Sequence, residues 1–78
     1  MSKPVIFTVS AVWDPEAGVW SGHCDEIPAA GDAPTLDELI EKIAQMTLDV
    51  APENHPGVPA ESIFIQVMAM REAAPAAA

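Results

Sequence analysis

One cysteine, no tyrosine, two phenylalanines, two tryptophans and only three lysines and arginines occur in 78 residues, and each scarcity excludes something. Cys24 alone cannot close an internal disulfide, and its solitude fits a reducing compartment. Three cationic side chains face twelve carboxylates, so the formal net charge is −9 and there is no basic patch for a phosphate backbone or an anionic membrane. No apolar run approaches the roughly 20 residues of a membrane span. The N-terminal run is interrupted by Thr8 and Ser10, which does not suit a signal peptide. A Gly-rich phosphate loop, HExxH and CxxC are all missing. These absences predict a soluble cytoplasmic protein that binds neither DNA nor membrane.

What is present suffices for one small core. Half of the residues are hydrophobic, although alanine makes up much of that half and contributes little burial. A single domain is expected over residues 1–71, followed by a flexible Ala/Pro tail over 72–78.

The clearest local signal is the stretch Pro34 to Pro52. Thr35 is placed to cap a helix and Glu38 stands three residues on, the spacing of a capping box. Leu36, Leu39, Ile40, Ile43, Met46, Thr47 and Val50 recur at three- and four-residue intervals and form one stripe. Asp37, Glu38, Glu41, Lys42, Gln45 and Asp49 occupy the other face, with Glu38 and Lys42 spaced as an ion pair. Leu48 falls on that solvent side. Pro52 is expected to end the helix near Ala51.

A one-sided helix needs a sheet to lie on. Residues 4–13 alternate as a strand, with Phe7, Val9, Ala11 and Trp13 expected on the helix side and Ile6, Thr8, Ser10 and Val12 outward. Asp14 to Gly18 reads as a turn, and Val19 to Cys24 as a second strand completing a hairpin. In it Gly22 is expected to let an aromatic such as Trp13 lie across the sheet. Ala29 to Gly31 could supply a very short edge strand.

Residues 52–61 hold three prolines and read as a rigid loop. The last strand, 62–71, sets Ile63, Ile65, Val67 and Ala69 on one face and Phe64, Gln66, Met68 and Met70 on the other. Both faces are largely apolar. That strand is either central with both faces covered or turned outward against another subunit, and a single helix favours the subunit. The fold class is therefore α+β: two layers in the order β-β-(β)-α-β, one helix packed on a mostly antiparallel sheet.

Chemistry is sparse. His23 and Cys24 are neighbours on a strand and point to opposite faces, so they cannot share a metal. His55 has Glu53 nearby and no second partner in sequence. Asp14, Glu16, Asp25 and Glu26 read as turn and edge residues rather than an acid/base pair. Asp25 and Glu26 also follow Cys24, an environment that disfavours a nucleophilic thiolate. No catalytic, cofactor-binding or metal-ligating residue is assigned, and the chain is not expected to be an enzyme.

The run FTVSAVWDPEAGVWSGHCDEIP (Phe7 to Pro28), followed by APTLDELIEKI (Ala33 to Ile43), resembles the HicB-like antitoxin domain. More narrowly it is similar to the small stand-alone DUF1902 family of unknown function. The likeness rests on Asp14 ending the first strand, Gly18 closing the turn, the aromatic Trp20, the acidic–aliphatic–Pro step from Asp25 to Pro28, and the Thr-Leu-x-Glu-Leu helix start at Thr35 to Leu39. It covers residues 5–70 and implies a partial double-stranded-RNA-binding-like or ribonuclease H-like fold that forms dimers or larger assemblies. It also implies neutralisation of a small basic mRNA-cleaving toxin. The operator-binding module that accompanies this domain in HicB proteins is expected to be lacking, since little chain follows the last strand.

Three functional classes compete. The leading expectation is a non-enzymatic interaction module of HicB-like type, an antitoxin-like or orphan regulator that binds a small basic protein. The second is a self-associating structural domain without a toxin partner, and the third is an RNA-associated protein or enzyme, against which the charge and the lack of a site argue. In the first two, a homo-oligomer is expected through the outer sheet face, including Phe64, Met68 and Met70.

Overall fold

A computed structural model describes residues 3–73; residues 74–78 of the expected tail lie outside that range. Its strands are β1 (Val5–Asp14), β2 (Val19–Cys24), β3 (Ala29–Ala33) and β4 (Ile63–Met70), with helix α1 (Leu36–Asn54) between β3 and β4. They form a four-stranded sheet in the order β3-β2-β1-β4. The β1–β2 and β2–β3 pairs are antiparallel, with Val9 opposite Cys24 and Gly22 opposite Gly31, whereas β4 runs parallel to β1 with Val9 opposite Val67. The architecture is the expected α+β, one helix on a mostly antiparallel sheet.

The turn that joins β1 to β2 is built by its first and last residues. The Asp14 carboxylate accepts the Glu16 and Ala17 N–H groups, and Gly18, at φ 68°, donates its own N–H to the Asp14 carbonyl. A side chain at that positive φ would be strained. At the far end of the hairpin, Glu26 Oε1 accepts the Thr8 N–H at 2.8 Å. The β1–β2 register stops at the Val9–Cys24 pair, so the carboxylate stands where the next ladder bond would fall.

Helix α1 begins as its sequence directs. Thr35 Oγ1 accepts the Glu38 N–H at 3.2 Å, and Asp37 and Glu38 lie in the first turn. Leu39, Ile43, Thr47 and Ala51 are buried, and Leu36, Met46 and Val50 pack at the margin of the core. Of the row expected to face the helix, Phe7, Val9 and Ala11 are buried beneath it, whereas Trp13 is only half-buried and outside the core. Buried Thr47 donates its hydroxyl to the Ile43 carbonyl, which leaves no buried side-chain N or O atom without a partner among the described residues.

Several expectations are corrected. Helix α1 continues through Pro52 to Asn54. Proline removes only the bond to the Leu48 carbonyl, at an exposed position, and the helix closes one turn later when His55 N–H bonds the Ala51 carbonyl at 2.7 Å. The loop expected over 52–61 is accordingly shorter, running between the helix end and a short 3-10 turn at Ala60–Ser62. Strand β3 is longer than the three residues expected, though it is an edge strand as predicted. Gly22 receives the helix, not Trp13: a Cβ there would stand 3.0 Å from Leu39 Cδ2 and 3.2 Å from Ile43 Cδ1. Lys42 does not pair with Glu38 but donates to the Asp32 carbonyl at 2.6 Å, its stem passing over Gly31. Of the two places open to β4, the structure excludes the central one with both faces covered: β4 is the other edge, and its outer face is exposed.

Candidate functional site

The small residues of β2 and β3 decide which strands the helix can reach. Gly22, Gly31, Ala29 and Ala33 let α1 settle over that half of the sheet, and Leu39 and Ile43 are fully buried there. The β4 residues Ile63, Ile65 and Val67, on the helix side, are only half-buried, and Ala69 is exposed. The helix thus leaves one edge of its own layer thinly covered.

Among the described residues, nothing covers the opposite face of the sheet. Parallel register sets Ile6 beside Phe64 and Val12 beside Met70, with Ser10 beside Met68. Ile6, Val12, Phe64, Met68 and Met70 are all exposed, from 45% for Val12 to 69% for Met70. Two apolar clusters therefore flank a polar rung, Thr8 beside Gln66. Between the strands lies an open concavity of about 650 Å³ lined by Ser10, Val12, Ser21, His23, Met68 and Met70. Exposed apolar clusters of this kind mark an interaction surface more often than they mark chance.

The titratable residues singled out in the sequence are spread over several elements. His23 Nε2 lies 3.2 Å from Asp25 Oδ1, but both side chains are mostly solvent-exposed, and among the described residues no second carboxylate joins them. Cys24 is buried on the other face of the sheet from His23. His55 sits at the helix end with its ring tilted against Phe7, centroids 5.1 Å apart, a packing role. No group of three or more His, Cys, Asp or Glu that could hold a metal is found among the described residues. None of the described helices is long and apolar enough to cross a membrane.

The outward face of α1 is acidic. Asp37, Glu38, Glu41 and Asp49 are exposed on it, as the helical period predicts, and Glu53 is also exposed there because the helix runs past Pro52. Three contacts were not anticipated from sequence: Glu26 to Thr8, Lys42 to Asp32, and Arg71 above Trp13 with Cζ 4.6 Å from the ring centroid. Trp13 in turn tilts against Trp20 with centroids 5.6 Å apart, so the cation closes a small aromatic cluster at the end of the sheet. The Trp13–Trp20 pair was readable in principle, since each stands one residue inside the strand ends Asp14 and Val19 that face each other across the hairpin. The other contacts join residues that no local pattern relates.

Comparison with known proteins agrees with this geometry. The crystal structure of a hypothetical protein from the extremely thermophilic bacterium Thermus thermophilus is 34% identical to this chain, with a TM-score of 0.72, covering 90% of this chain and 99% of that one. No match to a curated protein is found. The family model for a domain of unknown function, DUF1902, matches residues 6–77, so the chain belongs to the DUF1902 family.

Proposed function

We propose that this protein is a non-enzymatic protein-interaction module that associates with itself through the outer sheet face and β4. The observation that carries this reading is the row of exposed Ile6, Val12, Phe64, Met68 and Met70 on adjacent strands, in a chain whose titratable groups form no enclosed site among the described residues. Burying such side chains contributes about 1.5–3 kcal/mol for each that is fully removed from water, before the cost of association is subtracted. The role is that of a HicB-like, antitoxin-like or orphan regulator, located in the cytoplasm. Its acidic helix face then meets a small basic protein, for which a net charge of −9 accelerates encounter.

The self-association is tested by light scattering on the native chain and on the Phe64→Glu/Met68→Glu double variant. The native chain is expected at twice the single-chain mass or more, and the variant at the single-chain mass. A monomeric native chain, or an assembly indifferent to both carboxylates, would overturn the reading. The regulator role is tested separately, by capture from native cells with mass spectrometry and by co-expression with any small basic protein recovered. Neutralised toxicity supports that role; recovery of this chain alone reduces it to a self-associating structural domain.

A further inference from the structure

The two edges of the sheet are treated differently, and the backbone shows how. Thr8 donates its N–H to Glu26 beyond β2, and the Asp14 carbonyl accepts from Gly18 in the β1–β2 turn. The even-numbered residues of β1 therefore turn their backbone groups toward β2, and the odd-numbered ones toward β4. In a parallel ladder, with Val9 opposite Val67, the odd residues of β1 bond the even residues of β4. The N–H and C=O groups of Ile63, Ile65, Val67 and Ala69 consequently point away from the sheet.

The same accounting on the other edge leaves only Ala30 and Asp32 of β3 pointing outward. There the Asp32 carbonyl is already taken by Lys42 Nζ, and Gly31 and Asp32 are poor strand formers. That edge is short and blunted. Strand β4 has none of these devices: its eight residues contain no charge, proline or glycine, and no side-chain bond among those formed by the described residues reaches its outward groups.

We infer that β4 is the pairing edge for a second copy of this chain, joined antiparallel about a two-fold axis. The inference rests on the self-association proposed above and specifies how the copies meet. A strand laid along β4 satisfies four outward backbone positions and covers both of its apolar rows, half-buried Ile63, Ile65 and Val67 on the helix side and exposed Phe64, Met68 and Met70 on the other. Charge selects the occupant. In a chain of net charge −9, the uncharged β4 is where a second copy can approach without opposing carboxylates, and it offers a basic partner nothing to recognise. The two-fold joins identical edges, so every bond from residue i of one copy to residue j of the other is made a second time from j to i.

Val67→Pro and Ala69→Pro test this directly, because each removes an N–H from the open edge while sparing the bonds to β1. Sedimentation velocity is expected to show the native chain as a dimer and both variants, folded by circular dichroism, as monomers. A dimer retained by the folded variants overturns edge pairing and leaves self-association standing; a monomeric native chain overturns both. Amide exchange on the native protein needs no variant and decides the matter if proline prevents folding. The Ile65, Val67 and Ala69 amides are expected to slow as the dimer population rises with concentration. Exchange at those sites that is unchanged across the monomer–dimer transition overturns the pairing.

Discussion

Gly22→Ala adds one methyl group at the place where the helix meets the sheet, and the structure says what that methyl must displace. Its Cβ would lie 3.0 Å from Leu39 Cδ2, 3.2 Å from Ile43 Cδ1 and 3.4 Å from the Ser10 carbonyl oxygen. Leu39 and Ile43 are both 0% exposed, so neither can move into solvent to relieve the contact. Overpacking a well-filled core costs about 1–3 kcal/mol, whereas replacing glycine returns about 0.4–1 kcal/mol by restricting the unfolded chain. The net loss is about 1–2 kcal/mol, which in a domain of this size lowers the midpoint of thermal unfolding by roughly 5–15 °C. Circular dichroism melts at fixed protein concentration measure it. A second arm isolates the cause: with Leu39→Ala in place the tightest contact is gone, and adding Gly22→Ala is expected to cost little or nothing further, a coupling of about 1 kcal/mol or more. An unchanged or raised melting temperature for the single variant would refute the claim that α1 closes directly on Gly22.

Thr35→Ala removes the acceptor for the Glu38 N–H, and urea unfolding is expected to show a loss of about 1 kcal/mol; no loss would mean that the cap bond is unimportant. Pro52→Ala restores a donor to the Leu48 carbonyl inside α1 and is expected to raise stability by up to about 1 kcal/mol, less than a mid-helix proline costs because the site is in the last turn. A fall in stability would show that the proline stiffens the exit to β4 more than it weakens the helix. Glu26→Ala leaves the Thr8 N–H without its acceptor, so the exchange of that amide should quicken, while Glu26→Gln, which keeps an acceptor oxygen, should protect it partly. Equal exchange in all three proteins would contradict the bond.

The pieces of this fold that were legible in the sequence are those in which one period governs one element. The stripe from Leu36 to Val50 and the alternation from Phe7 to Ala11 each specify a buried face without knowledge of any neighbour. Asp14 and Gly18 mark their turn by residue type alone. What escaped was pairing in space. Gly22 announces a close approach but does not say by what, and the helix arrives from residues 39 and 43. Lys42 had an acidic neighbour one turn away at Glu38, yet the β3 edge offered a carbonyl that needed a donor. Strand β4, apolar on both faces, suits a central place and an open edge equally well, and only the register beside β1 settles it. As for the site, the outward set Phe64, Met68 and Met70 followed from alternation, whereas their alignment with Ile6 and Val12 depends on the parallel ladder, which no local pattern encodes. Pro52 misled because its penalty falls on a single exposed carbonyl near the end of the helix.

The central claim, that this chain works by association through β4 and the outer sheet face, meets its most direct test in the solution mass of the native protein across a dilution series. Multi-angle light scattering is expected to return at least twice the mass of one chain at high concentration, falling toward the single-chain value only on dilution. A mass equal to one chain at every concentration would contradict the account.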